Sequence, residues 1–360
     1  MAKKKTPEYL SKIIKEYGNI ITNGTDVLAN KKSYKVVSIS PAIDIALGGG
    51  IKEGSWFMLT GDPKSGKTTT AMQLAANCQK DGRPVIYLDV EGRIKDMNFE
   101  VRDLDPSKME IIHPEDKPIP AEVFLDAAHK LMSHPDYHGA LLIIDSISSL
   151  LPEKELVGDM TPGRAGLPKL LSIFTKKMGQ ILPRQRGIIT CITHYIANTA
   201  GFGTPKMADG GNKIQYQADT RMEVRSNSAD KISAVTPWFN TNKERIGQAV
   251  NWKIVCSSMG SPGTQAQSWI RYGHGIDKIQ EVLMLSQDLG MVIKAGAWLT
   301  CEFILSHKEA AKEIEPTLNI EDDEAILKAF KFQGQDKLYA FFAENPKLVS
   351  ILEHQIKEML

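Results

Sequence analysis

Apolar positions along the chain follow two rhythms. Short unbroken apolar runs, at Trp56-Phe57-Met58-Leu59-Thr60, Pro84 to Val90, Ala140 to Asp145 and Arg186 to Thr193, have the length of strands buried on both faces. Between them stand segments with helical spacing, Thr68 to Gln79 and a stretch from near Pro120 to Met132. Strands that alternate with helices predict crossover connections, and therefore a doubly wound α/β sheet of mostly parallel strands. Arg221 to Ser226, Asn251 to Cys256 and Gln265 to Tyr272 read as later strands, ending at a glycine-rich turn, Gly273-His274-Gly275.

The flanks have a different texture. From Pro7 to Tyr17, Tyr9, Leu10, Ile13 and Ile14 recur at helical period among charges. This predicts a short amphipathic helix whose apolar face packs on its own domain or on a neighbouring subunit. Beyond Lys278 charged helices are expected, Glu321 to Lys331 and Lys337 to Ala343 among them, with Pro316 and Pro346 as breakers. The expected organisation is an N-terminal helical arm at 1–34, an α/β core at 35–277 and a small α+β C-terminal domain at 278–360.

Composition narrows the class. At 360 residues, 42% hydrophobic and 24% charged, the chain suits a globular protein of about two domains, and no apolar stretch is long enough to cross a bilayer. Charges and Pro7 interrupt the apolar segment that a signal peptide opening at Met1-Ala2-Lys3 would need, so a cytoplasmic protein with no membrane partner is expected. Cys78, Cys191, Cys256 and Cys301 are far apart, which argues for buried free thiols rather than a zinc site or a disulfide framework. A net charge of +1 excludes a polycation, so any nucleic-acid contact must come from local clusters.

The chemistry begins at Gly61-Asp62-Pro63-Lys64-Ser65-Gly66-Lys67-Thr68, which fits G-x-x-x-x-G-K-S/T between a strand and a helix that continues through Thr69. Backbone N–H groups in such a loop wrap phosphates at the positive end of the helix. Lys67 is expected to reach the β- and γ-phosphates, and Thr68 to hold Mg²⁺. Leu141-Leu142-Ile143-Ile144 delivers Asp145 to a strand's C-terminal end, where it fits a second Mg²⁺-orienting group. Tyr87-Leu88-Asp89-Val90-Glu91 is another apolar strand ending in acid. Glu91 is the candidate general base for hydrolysis, with Asp89 as its rival. ATP and Mg²⁺ are the expected cofactors.

These landmarks, together with Ser38-Ile39-Ser40-Pro41-Ala42-Ile43-Asp44, Gly210-Gly211-Asn212, Tyr272-Gly273-His274-Gly275 and Lys294-Ala295-Gly296-Ala297-Trp298, resemble the RecA recombinase family over nearly the whole chain. Ile192-Thr193-His194 and Tyr216-Gln217-Ala218-Asp219-Thr220 look closest to the UvsX-type recombinases of T4-like phages. The resemblance implies a RecA-like P-loop NTPase core. It makes His194 a γ-phosphate sensor, at a position where bacterial members commonly carry Gln, and places Tyr216 and Arg221 at subunit interfaces. It assigns Phe99 or Tyr272 to the adenine. Two DNA loops map onto Val157 to Gly166 and Ile196 to Gly211, with Met160, Arg164, Lys169, Phe202, Lys206, Gly210, Gly211 and Lys213 as contacts to the backbone and bases of a single strand.

Two features depart from the family pattern. A K-x-K pair that reaches the neighbouring subunit's phosphates is replaced by Cys256-Ser257-Ser258, and a trans-acting cation of that kind is worth about 10³-fold or more in rate. Arg221, Lys253, Lys243 or Arg245 are the candidate substitutes. The last residues read Lys357-Glu358-Met359-Leu360 in place of a long acidic tail, so self-inhibition by such a tail is not expected. The function implied is ATP-dependent, filament-forming strand exchange: a DNA-dependent ATPase that is a homo-oligomeric helix on single-stranded DNA, with double-stranded DNA as exchange partner and mediator or single-strand-binding proteins as further partners. The alternatives are a hexameric helicase motor and an ATP-binding mediator with weak hydrolysis.

Overall fold

In the computed structural model, which describes residues 8–18, 21–95, 99–158, 166–197, 206–208, 211–226 and 246–359, the strand Ser55–Gly61 (β1) is buried at every position. It runs into the phosphate-loop segment and then the helix Lys67–Lys80 (α1). The strands Val85–Asp89 (β2) and Met109–Ile112 (β3), the helix Ala121–Ser133 (α2), the strand Leu141–Asp145 (β4), the helix Leu167–Gln185 (α3) and the strand Ile188–Ala197 (β5) follow. Thr220–Ser226 (β6), Gly247–Cys256 (β7), Gln265–Arg271 (β8) and Gly275–Ile276 (β9) continue the sheet in the order β9-β8-β7-β6-β1-β5-β4-β2-β3, and the short strand Lys206–Ala208 pairs with β5 off this path. From β6 to β3 all pairings are parallel, and from β6 to β9 all are antiparallel.

The unbroken apolar runs are explained by what covers the sheet. Successive strand residues point to opposite faces. Phe57, Leu59, Val85, Tyr87, Leu141 and Ile143 therefore cluster with Ala71, Met72, Leu74 and Ala75 of α1. Their neighbours Trp56, Met58, Ile86, Leu88, Leu142 and Ile144 cluster with Phe124 and Leu125 of α2 and Leu171 and Phe174 of α3. Trp252 of β7 donates its indole N–H to Thr70 Oγ1 at 3.0 Å and so pins α1 from the antiparallel side.

Residues 1–35 form one compact unit, with helices at Glu8–Tyr17 and Gly24–Lys32, and residues 36–360 form another. In the second unit the C-terminal region builds its own apolar cluster around Val282, Leu299, Phe303, Phe330, Phe342 and Leu352. Its three-stranded antiparallel sheet (Val292–Ala295, Trp298–Cys301, Lys331–Gln333) has helices around it. Ser40 Oγ donates to Glu281 Oε1 at 3.0 Å and ties this region to the core.

Several boundaries differ from expectation. The helix expected from Glu321 to Lys331 spans Asp323–Ala329, and Lys331 opens a strand. Pro346 separates the helix Gln335–Glu344 from the helix Pro346–Met359, as expected of a breaker, and opens the second because the first helical residue needs no N–H partner. Cys78, Cys191 and Cys301 are buried free thiols, whereas Cys256 is half-buried. Among the described residues no helix is long and apolar enough to cross a membrane.

Candidate functional site

The loop after β1 is shaped by close approach. A Cβ on Gly61 would lie 2.2 Å from the Val224 carbonyl oxygen of β6, so only glycine fits beside that strand. Lys64 and Gly66 take left-handed backbone conformations (φ 60° and 104°), which turn the chain into the N-terminus of α1. Asp62, Pro63 and Lys64 are exposed, and Thr68 and Thr69 are half-buried. The Lys67 ammonium donates to the carbonyls of Gly61 at 2.9 Å and Asp62 at 2.8 Å, at the centre of the loop. Burial pushes its pKa down, opposed by Asp145, Asp62 and Glu91. The Ser65 hydroxyl is buried in the loop with no hydrogen-bond partner among the described residues. Successive amides at a helix N-terminus, a buried ammonium and an orphan hydroxyl fit a phosphate chain.

Thr68 Oγ1 donates to Asp145 Oδ2 at 2.8 Å, joining α1 to the end of β4. The Tyr87 hydroxyl of β2 donates to the same oxygen at 2.9 Å, a contact that the sequence reading did not anticipate. Burial raises the Asp145 pKa, and the bonds from Thr68 and Tyr87 act against it. No cluster of three or more His, Cys, Asp or Glu suited to a metal occurs among the described residues. One hydroxyl beside one carboxylate fits Mg²⁺, which keeps several waters and binds through one or two carboxylates plus phosphate oxygens.

The two acids after β2 are set apart by their partners. Asp89 is buried, and its carboxylate accepts from the backbone N–H groups of Arg93 at 3.1 Å and Ile94 at 2.9 Å, so it serves the turn. Glu91 is half-buried, and its Oε1 accepts from Ser149 Oγ at 2.6 Å and Ser146 Oγ at 3.1 Å. Burial works to raise its pKa, but those hydroxyls, Arg93 and His194 outweigh it and the net shift is downward. His194 lies opposite Gly61 in the β1–β5 pairing, with Nε2 3.6 Å from Glu91 Oε1. The structure thus brings Lys67, Thr68, Asp145, Glu91 and His194 to the C-terminal edge of the parallel strands, where open α/β sheets bind ligands.

Past His194, β5 continues to Ala197 and pairs with Lys206–Ala208 (Tyr195 with Ala208, Ala197 with Lys206). The segment from Ile196 to Gly211 is therefore partly strand, and Gly211 opens the helix Gly211–Gln217, which carries Lys213 and Tyr216. Tyr216 is 83% exposed, and Lys169 is exposed near the start of α3. Met160, Arg164, Phe202 and Gly210 lie outside the described residues, as do Lys243 and Arg245.

Tyr272 is 42% exposed, with its hydroxyl 3.4 Å from Gln248 Oε1, and Gln248 Nε2 donates to the Lys64 carbonyl at 3.2 Å. Tyr272 is thereby linked to the phosphate loop, whereas Phe99 packs on the apolar core. Arg221 Nε contacts Cys256 Sγ at 3.2 Å. Beyond Cys256, Ser257 Oγ donates to the Leu47 carbonyl and accepts from the N–H groups of Met259 and Gly260. A Cβ on Gly260 would lie 2.4 Å from the Leu47 carbonyl oxygen, so this turn is committed to packing.

Strand, glycine-rich loop, lysine and helix inside a mostly parallel sheet define the class of P-loop α/β proteins. Within that class, residues 4–277 match the profile of the RecA N-terminal domain. The chain is 28% identical over 326 residues to Protein RecA of Acholeplasma laidlawii, covering 89% of this chain and 86% of the relative. It is 32% identical over 339 residues to Protein RecA of Phytoplasma mali, covering 91% and 87%. Against Protein RecA of Thioalkalivibrio sulfidiphilus it is 28% identical over 368 residues, covering 99% and 93%. The chain belongs to the RecA family.

Proposed function

We propose that this chain is an ATP-dependent homologous-recombination protein of the UvsX type, a DNA-dependent ATPase that forms helical filaments on single-stranded DNA in the cytoplasm and promotes pairing and strand exchange with a homologous duplex. The observation that carries this reading is the continuity of β5. One strand holds His194 beside Glu91 and Gly61, then runs three residues further into the paired segment at Lys206–Ala208. A group that senses the γ-phosphate and a segment that meets DNA are then parts of one element. The UvsX-type assignment rests on His194 and on the stretch from Tyr216 to Thr220.

In this reading residues 1–34 are the oligomerisation arm, 35–277 the ATPase core with both DNA loops, and 278–360 the C-terminal domain. Lys67 and the loop amides bind the phosphates, and Tyr272 covers the base. Thr68 and Asp145 hold Mg²⁺, which supplies charge neutralisation when bound. Glu91, kept ionised by its hydroxyl partners, accepts the proton of the attacking water. Lys169, Lys206 and Lys213, with Met160, Arg164, Phe202, Gly210 and Gly211, contact the strand, and Tyr216 and Arg221 face the next subunit.

A second reading, an ATP-binding mediator with weak hydrolysis, is favoured by the Cys256–Gly260 turn, which packs on Leu47 and offers no cation. ATP turnover with and without single-stranded DNA separates the two. The recombinase reading expects DNA-stimulated turnover that Lys67→Ala and Glu91→Gln each abolish; turnover indifferent to both substitutions would sink the site assignment.

A further inference from the structure

The chain leaving β4 makes a single tight turn, Ile147–Ser149, and carries hydroxyls at Ser146, Ser148 and Ser149. These hydroxyls serve two partners. Ser149 Oγ and Ser146 Oγ donate to Glu91 Oε1, at 2.6 Å and 3.1 Å. Between them, Ser148 Oγ accepts the backbone N–H of His194 at 3.3 Å. Arg93 Nη1 lies 3.3 Å from the other carboxylate oxygen, Oε2, and the His194 Nε2 atom, 3.6 Å from Oε1, is outside hydrogen-bond range, so the hydrogen bonds on Oε1 come from the turn and not from the histidine. The residue bound to Ser148 immediately precedes the strand segment, Tyr195 to Ala197, that pairs with Lys206–Ala208.

We propose that Ser149 is a positioning residue which, with Ser146, latches Glu91 in a restrained pose, and that displacement of His194 when DNA meets its strand passes through Ser148 and opens the latch. This rests on Glu91 as the base and on 196–211 as a DNA segment. Hydroxyl donors on a carboxylate oxygen stabilise the charged form and weaken it as a base. Release frees an oxygen lone pair for water or for His194. Hydrolysis is thereby tied to DNA, a coupling that placement of the base alone does not supply.

Ser149 is exposed, so Ser149→Ala leaves no cavity in the core. The test measures ATP turnover of the full-length protein at saturating ATP, with and without oligo(dT), for the wild type, Ser149→Ala and Ser149→Thr. In the alanine variant DNA-free turnover rises and the ratio of DNA-stimulated to DNA-free turnover falls by about ten-fold, the scale of a charged hydrogen bond. The threonine variant keeps a hydroxyl and keeps the wild-type ratio. An unchanged ratio in Ser149→Ala, or a threonine variant that behaves like alanine, overturns the latch and leaves the ATPase reading standing. A wild type with no DNA-stimulated turnover overturns both.

Discussion

Nε2 of His194 lies 3.6 Å from Oε1 of Glu91, one residue from where β5 leaves the core for the segment paired with Lys206–Ala208. This places the candidate base and the head of the candidate DNA element side by side. His194→Ala is expected to keep ATP binding and DNA-free turnover while stimulation by single-stranded DNA drops by roughly ten-fold, within the usual range of coupling energies. His194→Gln retains a side-chain donor and is expected to retain most of the stimulation. A coupled-enzyme ATPase assay with and without DNA reads both.

Glu91→Gln keeps the shape of the side chain and removes its basicity. Turnover is expected to fall by about 10²- to 10⁴-fold while nucleotide affinity, measured with a fluorescent ATP analogue, stays near wild type. The pH dependence has a definite sign. Ser149, Ser146, Arg93 and His194 together overcome burial and hold the Glu91 carboxyl below its usual range. The base stays ionised as pH falls through the ordinary glutamate value of about 4.3, and turnover is lost only below it. A pH–rate profile over the range where the protein remains folded checks this.

The parts of the fold that sequence alone makes visible are those with the simplest burial. β1, β2 and β4 are covered on both faces and so read as continuous apolar runs, and the glycine-rich loop between β1 and α1 has a fixed spacing. Strands β3 and Val292–Ala295 escaped because they mix buried with exposed residues over four positions, too short for a period to show. The strand pairing at Lys206–Ala208 escaped because glycine and small residues around it read as loop. Lys67, Thr68, Asp145 and Glu91 belong to motifs, but Tyr87, Ser146, Ser148 and Ser149 meet them only through the sheet and the turn after β4. The available signal was three serines among the four residues after the strand-ending acid.

Tyr87 contributes one hydroxyl bond to Asp145, on the oxygen that also receives Thr68. Tyr87→Phe preserves packing and removes that bond. Groups that orient a metal-binding carboxylate typically affect metal affinity by 10- to 100-fold, so the Mg²⁺ concentration for half-maximal ATPase is expected to rise by about ten-fold with little change in the saturated rate. A Mg²⁺ titration at fixed ATP measures it; an unchanged midpoint would remove Tyr87 from the site.

Stability carries its own pH signature. Burial pushes the carboxyls of Asp44 and Glu281 up to about 7. Unfolded, both titrate near 4, so between about 4 and 7 the folded chain binds more protons than the unfolded one. Their contribution is full below about 4 and is lost as pH rises through about 7, at up to about 1.4 kcal/mol per pH unit for each group. The urea midpoint is expected to fall between about pH 4 and pH 7 and to fall less steeply in Glu281→Gln. Equal slopes in the two proteins would contradict the assignment.

The most direct test of the central claim is D-loop formation, in which the purified chain is given a labelled single strand and a supercoiled homologous duplex. With ATP and Mg²⁺, joint molecules are expected to form in a homology-dependent way, and Lys67→Ala is expected to form none. A wild-type protein that binds DNA and ATP yet yields no joint molecules, or yields them equally with a heterologous duplex, would contradict the account.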